Sequence, residues 1–149
     1  MRWMIFQALV LPCCIWLGFR LAGVSRTQAL LRGWATHTTP GRTDDEETTM
    51  RIHDARRAQR LVKRTVGISG NCLVRSLTLW TLLRRRGVHT DLRVGFRKRS
   101  GRIEGHAWLE FHDAPINETV AEASSYVPYH QPVTFDLWRH IRGPVTPNR

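Results

Sequence analysis

The strongest pattern of apolar positions in the chain covers residues 71–86. Apolar residues recur there three and four positions apart, as they do on one face of a helix, and further apolar residues lie on the other side. We therefore predict a helix that is buried on much of its surface. Its main face and flanks hold Cys72, Leu73, Ser76, Leu77, Leu79, Trp80 and Leu83.

Both ends of this helix carry the expected signals. Asn71 is a suitable N-cap, because its side-chain oxygen can accept a backbone N–H of the first turn. Gly87 can adopt the left-handed conformation that follows many helices, and the arginines at residues 84–86 suit the negative end of the helix dipole. Cys72 then lies in the first turn, where a thiolate is favoured. An isolated cysteine on an apolar helix is more often a core residue.

Beyond this helix the period of the apolar positions changes from 3.6 to 2, which predicts strands. The first strand includes residues 92–96, and the second includes residues 105–112. Ser100 and Gly101 supply the turn between them. Residues 116–120 predict a third strand. In the second strand, His106 faces away from its apolar neighbours Ala107, Leu109 and Phe111.

The first 24 residues are rich in large apolar side chains. The uncharged run between Arg2 and Arg20 has 17 residues and includes Gln7 and Pro12. This length is at the lower limit for a membrane span, and no small-residue cleavage site typical of a signal peptide follows the run. We expect a helix that packs on the domain or on a partner, with membrane contact as the second alternative.

The remaining segments complete a single domain of 149 residues, a length that can bury a real core. Residues 25–33 predict a short helix, residues 36–49 a polar linker with an acidic end, and residues 50–66 a helix with a basic outer face. We assign residues 1–49 to the hydrophobic N-terminal helix and linker, and residues 50–149 to the main part of the domain.

The charge balance suggests an acidic partner. Lys and Arg total 23 against 12 acidic residues, a formal net charge of +11. Nucleic acid, anionic lipid and an acidic protein or peptide all fit this charge, and so does a proteome that is basic throughout. Basic and aromatic residues do not alternate on an obvious exposed sheet face, so we expect no nucleic acid partner.

The cysteines favour a reducing compartment. There are three, Cys13, Cys14 and Cys72, and adjacent cysteines rarely bond to each other. The odd count and the spacing indicate no disulfide framework, so a cytoplasmic location fits best. The chain has no Cys-x-x-Cys pair or close Cys/His cluster, and we expect neither a metal nor a cofactor.

A cysteine at a helix start, a histidine in a strand and a carboxylate after it are the groups of nucleophilic thiol chemistry. The imidazole takes the thiol proton and the carboxylate orients the imidazole. Cys72 and His106 are therefore the candidate nucleophile and base. Because His106 faces away from the apolar side of its strand, the two can meet only if the start of the helix lies at the edge of the sheet.

The candidate for the orienting carboxylate is Glu118, with Asp113 as the alternative. A turn centred at His112 would place Glu118 directly across from His106. A two-residue turn at Asp113 and Ala114 would instead place Glu118 across from Leu109. Asp113 lies close to the turn, from which it has difficulty reaching back.

Three sequence blocks resemble the leader peptidase of lasso peptide biosynthesis. They are Cys-Leu-Val-Arg-Ser-Leu at residues 72–77, Leu-Arg-Val-Gly-Phe-Arg-Lys at 92–98 and Gly-His-Ala-Trp-Leu-Glu at 105–110. The resemblance covers residues 55–120. It implies an α+β, transglutaminase-like and papain-related fold, with a helical N-terminal part and a cysteine at a helix start packed on a small antiparallel sheet.

The resemblance also implies site roles and partners. Cys72 would be the nucleophile and His106 the base, while Glu118 stands where the family usually has Asp. The implied reaction is hydrolysis of a precursor peptide between leader and core. A small PqqD-like protein would present the leader, and an ATP-dependent lasso cyclase would act next. The alternatives are another thiol acyl-transfer enzyme on the same fold, or a non-catalytic basic module that binds nucleic acid or membrane.

Overall fold

The computed structural model describes residues 2–35, 45–66 and 71–129. The helices are α1 (Arg2–Leu21), α2 (Gly23–Ala35), α3 (Asp45–Val66), α4 (Cys72–Arg84) and α5 (Val120–Ser124). The strands are β1 (Asp91–Arg99), β2 (Arg102–Phe111), β3 (Ala114–Pro115) and β4 (Val127–Pro128), which form an antiparallel sheet in the order β3-β2-β1-β4. This arrangement confirms the predicted α+β class. The end of the predicted main part, residues 130–149, lies outside the described residues.

Helix α4 occupies the centre of the fold, as predicted. Its residues from 73 to 83 are all buried except Arg75, which is partly exposed. Asn71 is the N-cap, and its side-chain oxygen accepts the backbone N–H of Leu73 at 3.1 Å. The helix ends at Arg84, and Gly87 adopts a positive φ of 76°. Both predicted end signals are therefore confirmed.

Helix α1 packs on the domain through one of its faces. Ala8, Leu11 and Ile15 are buried in the same core cluster as α4, and α1 contacts both α3 and α4. Many other apolar residues of α1 are exposed. The exposed large apolar residues of α1 are Trp3, Phe6, Leu9, Val10, Trp16, Leu17 and Leu21.

Crossing a membrane requires a helix that is both long and apolar enough. Across residues 2–35, 45–66 and 71–129, no helix meets both requirements.

Helix α3 begins earlier than predicted. It starts at Asp45, so the acidic end of the predicted linker is helical. Acidic residues are favourable in a first turn, because they face the positive end of the helix dipole. Side chains of α3 also reach the backbone of α4 and its end: the Gln59 amide donates to the carbonyl of Arg75 at 2.6 Å, and the Arg51 guanidinium donates to that of Arg86.

Strands β1 and β2 form the predicted hairpin. Their register pairs Gly95 with His106, and the two-residue turn consists of Ser100 and Gly101. Both turn residues have positive φ, 49° and 76°, as a hairpin turn that matches the twist of its strands requires. The first two predicted strands are thereby confirmed.

The predicted third strand over residues 116–120 is wrong. The ladder with β2 ends at Pro115, followed by one backbone hydrogen bond from the Ile116 N–H to the carbonyl of Leu109, and Val120 already begins α5. Two side chains explain the departure. The Asn117 side-chain oxygen takes the backbone N–H of Leu109 at 2.8 Å, where a strand would offer a carbonyl. The Thr119 hydroxyl caps α5 by accepting the backbone N–H of Glu122 at 3.1 Å.

Candidate active site

The first turns of α4 lie against the edge of β2 that β3 leaves uncovered. The Ser76 hydroxyl donates to the backbone carbonyl of Ala107 at 2.9 Å. The Asn117 amide in turn donates to the Ser76 hydroxyl at 3.0 Å, while its oxygen holds the N–H of Leu109. These side chains take the place of a neighbouring strand. The helix start therefore meets the edge of the sheet, which is the condition that lets a cysteine there approach His106.

The Cys72 sulfur lies at this junction and is partly buried. Burial raises the pKa of the Cys72 thiol, and this effect outweighs the backbone N–H groups of Ala107 and Leu73 and the nearby Arg75 cation, which lower it. In the described part of the chain, the thiol donates to the Asn71 side-chain oxygen at 3.4 Å and not to His106. Burial thus favours the neutral thiol over the thiolate.

His106 is paired with Glu118. Its Nε2 lies 3.0 Å from Oε2 of the carboxylate, and the two side chains are only 14% and 19% exposed. A carboxylate can only accept, so Nε2 of a neutral ring carries the hydrogen and Nδ1 is the basic nitrogen. This tautomer is the one that a general base needs when its other nitrogen is held by a carboxylate.

The second oxygen of Glu118 is bound by the helix that carries the nucleophile. Arg75, three residues after Cys72 on α4, donates to Glu118 Oε1 at 3.3 Å. Glu118 therefore bridges α4 and β2, with one oxygen on Arg75 and the other on His106. The longer side chain of glutamate allows one carboxylate to contact both partners.

The alternative carboxylate, Asp113, does not approach His106. It lies exposed in the β2–β3 turn with a φ of 60°. Five residues of strand separate His106 from the end of β2 at Phe111, about 17 Å at about 3.4 Å per residue. The structure brings His106 together with Glu118 and not with Asp113.

Glu118 reaches His106 by a route that differs from the predicted one. The turn consists of His112 and Asp113, and the register it sets would place residue 118 opposite Ala107 if the strand continued. The strand does not continue, because the chain leaves the sheet after Pro115. The predicted cross-strand geometry is therefore wrong, although the same two residues meet.

Several residues of the site were not predicted from the sequence. Asn117 and Ser76 anchor the helix start to β2, Arg75 binds Glu118, and Tyr126 stacks on His106. The sequence contained a weak indication that Arg75 and Ser76 belong to the site, because they lie one helical turn after Cys72. Nothing in the sequence indicated Asn117 or Tyr126 as site residues, because their positions depend on the bend after β3.

The chain belongs to the transglutaminase-like superfamily, whose family model matches residues 15–131. This superfamily includes cysteine peptidases and acyl-transferases that depend on a cysteine. The match confirms the predicted transglutaminase-like fold class. No significant match was found among curated proteins or among solved structures.

Proposed function

We propose that the protein is a cysteine peptidase that removes the leader from a ribosomally made lasso peptide precursor. The observation that carries this proposal is the junction of Cys72, at the capped start of α4, with the strand in which His106 is paired to Glu118. The resemblance of residues 72–77 and 105–110 to lasso leader peptidases directs the choice of substrate. The wider class of cysteine-dependent enzymes follows from the superfamily.

In the proposed reaction, His106 Nδ1 takes the thiol proton as the Cys72 sulfur attacks the carbonyl carbon at the leader–core junction. The C–N bond then breaks, and His106 returns the proton to the departing core amine. This leaves the leader as a thioester on Cys72. Water, deprotonated by His106, attacks the thioester carbonyl, and the C–S bond breaks to give the leader carboxylic acid and the free thiol.

The raised pKa of Cys72 makes a base necessary in this scheme, and His106 is that base. Because burial disfavours the thiolate, the thiol needs a base to take its proton, and His106 is the group assigned to that role. Glu118 stabilises the imidazolium that forms, and Arg75 keeps that carboxylate in place. The positive end of the α4 dipole adds stabilisation for negative charge near the sulfur.

The proposal includes partners and a location. A small PqqD-like protein presents the leader, and an ATP-dependent lasso cyclase uses the freed core amine, both in the cytoplasm. Two surfaces can receive the recognition protein: the exposed apolar face of α1 and the basic face of α3, which exposes Arg57 and Arg60. The alternative function is another acyl transfer, since the same three groups serve both reactions.

Product masses test the proposed function. The protein is incubated with a lasso precursor, with and without its recognition protein, and the products are followed by mass spectrometry. Hydrolysis gives two fragments whose masses sum to the precursor plus one water, and the recognition protein should raise the rate. An adduct of leader and an added amine would favour acyl transfer instead. An unchanged precursor in the complete mixture would contradict the proposal.

Replacing Glu118 with glutamine should slow turnover clearly. The amide keeps the shape but loses the charge that orients His106 and stabilises the imidazolium. Loss of the corresponding carboxylate in a serine triad costs about 10⁴ in kcat, and we expect less here because a thiol needs less activation. The measurement is kcat for precursor cleavage. Asp113→Asn is the matched control and should leave kcat unchanged; the reverse ranking would transfer the role to Asp113.

A further inference from the structure

Tyr126 stacks on the ring of His106. The two ring centroids are 5.0 Å apart and the ring planes differ by 22°. Tyr126 is only 7% exposed and forms a small second core with Trp108 and Ala123, on the side of the sheet that faces away from the main core. One face of the His106 ring is therefore in contact with a buried aromatic ring.

Polar contacts hold the Tyr126 side chain in this position. Its hydroxyl lies 3.2 Å from Glu122 Oε1, and the guanidinium carbon of Arg97 lies 4.4 Å from the centroid of its ring. Arg97 is in turn bound by Glu104 at 2.8 Å and by Glu122 at 3.1 Å. A cation over a tyrosine ring and a bound hydroxyl both restrict the motion of the ring.

The backbone of β1 makes room for this arrangement. Gly95 pairs with His106 across the hairpin and with Pro128 of β4 on the other side. A Cβ atom at Gly95 would lie 2.9 Å from the Trp108 ring, from Tyr126 Cβ and from the carbonyl oxygen of residue 127. Only glycine allows Tyr126 to lie this close to the sheet.

We propose that Tyr126 is a positioning residue that fixes the ring plane of His106 so that Nδ1 stays directed at Cys72; this rests on the proposed peptidase function. The hydrogen bond to Glu118 holds Nε2 and does not by itself fix the ring plane. The Trp108 ring is also roughly parallel to the His106 ring, but its centroid is 6.2 Å away, farther than that of Tyr126. A stacked ring at 5.0 Å opposes the tilt. Tyr126 contacts neither substrate nor reacting atoms in this scheme, and it acts only through His106.

A double-mutant cycle separates this role from a purely structural one. Tyr126→Leu and Tyr126→Phe are each prepared with His106 intact and in a His106→Ala background. The first readout is the rate at which iodoacetamide alkylates Cys72, followed by mass spectrometry of its own peptide, because Cys13 and Cys14 are exposed. The second readout is kcat and KM for precursor cleavage, and thermal melting checks the fold.

With His106 intact, Tyr126→Leu should lower both the alkylation rate and kcat about tenfold, with little change in KM. A catalytic group that is misplaced by about 1 Å can cost about 10²-fold in rate, so a tilt has a measurable effect. Tyr126→Phe keeps the stacked ring and should stay near the wild-type rate. In the His106→Ala background, Tyr126→Leu should have no further effect on alkylation. If Tyr126→Leu does not fold, Tyr126→Met takes its place, because the flexible methionine side chain adapts to an irregular space.

Equal slowing by Tyr126→Leu in both backgrounds would overturn the proposal, since the residue would then act through the fold. Wild-type alkylation and kcat in Tyr126→Leu would overturn it as well. A wrong assignment of the substrate would give a result different from both of these. If the wild-type protein does not cleave a lasso precursor but His106→Ala still slows alkylation of Cys72, only the substrate is wrong and the cycle still decides on Tyr126.

Discussion

Cys72→Ala is expected to abolish cleavage of the precursor while the protein stays folded. Its sulfur is the only protein atom that becomes covalently bonded to the acyl carbon of the substrate in the proposed mechanism. Removing the nucleophile of a serine triad lowers kcat by about 10⁶. The measurement is the yield of leader fragment by mass spectrometry over long incubation, together with circular dichroism and thermal melting of the variant.

Two further variants test whether the loss of cleavage is specific to Cys72 and its base. His106→Ala should abolish cleavage as well, because it removes the imidazole that takes the thiol proton in the proposed mechanism. Cys13→Ala is the matched control, since Cys13 is an exposed cysteine on α1 far along the chain from the site. It should cleave at the wild-type rate. Cleavage by Cys72→Ala at the wild-type rate would rule out thiol catalysis at this residue.

The sequence predicted the elements that depend on local signals. Helix α4 has a capping residue before it, a glycine after it and apolar residues around it, and the structure agrees with all three. The β1–β2 hairpin likewise follows from alternation and from a turn that suits glycine. Cys72 and His106 lie on these two elements, so their approximate positions could be inferred before the structure was known.

The sequence did not predict how the carboxylate of Glu118 reaches the site. Residues 116–120 were predicted to form a third strand, but side chains replace the backbone pairing there: Asn117 takes the N–H of Leu109, and Thr119 caps a short helix. The Asn117 contact depends on a tertiary position that no local pattern encodes. Thr119 and Glu122, in contrast, match the Thr-x-x-Glu pattern that marks a helix start. The same bend brings Tyr126 onto His106, which is why that contact was also missed.

Hydrophobicity alone also left the environment of α1 undecided. The helix is apolar on nearly every side, so the sequence could not distinguish a helix that packs on the domain from one that contacts a partner or a membrane. The structure shows that the face with Ala8, Leu11 and Ile15 is buried against the core that contains α4. The opposite face remains exposed and includes Trp16 and Leu17.

Ile15→Asp should therefore unfold the protein or leave it insoluble. Ile15 is 1% exposed and is among the largest fully buried side chains of the described residues. The substitution removes about 1.5–3 kcal/mol of apolar burial and also places an unpaired charge in the core, which costs several kcal/mol more. A domain of this kind is stable by only about 5–15 kcal/mol, so most of that stability is lost. Soluble yield and chemical denaturation measure the effect.

Leu17→Asp is the matched control on the same helix. Leu17 is 50% exposed, so a carboxylate there stays in contact with water, and the free energy of unfolding should change by about 0.5 kcal/mol or less. Ile15→Ala gives an intermediate case that should remain folded, with a loss of about 2–5 kcal/mol from the cavity. If Ile15→Asp were as stable as Leu17→Asp, α1 would not be part of the folded core, and its apolar residues would have to be covered by a partner or a membrane.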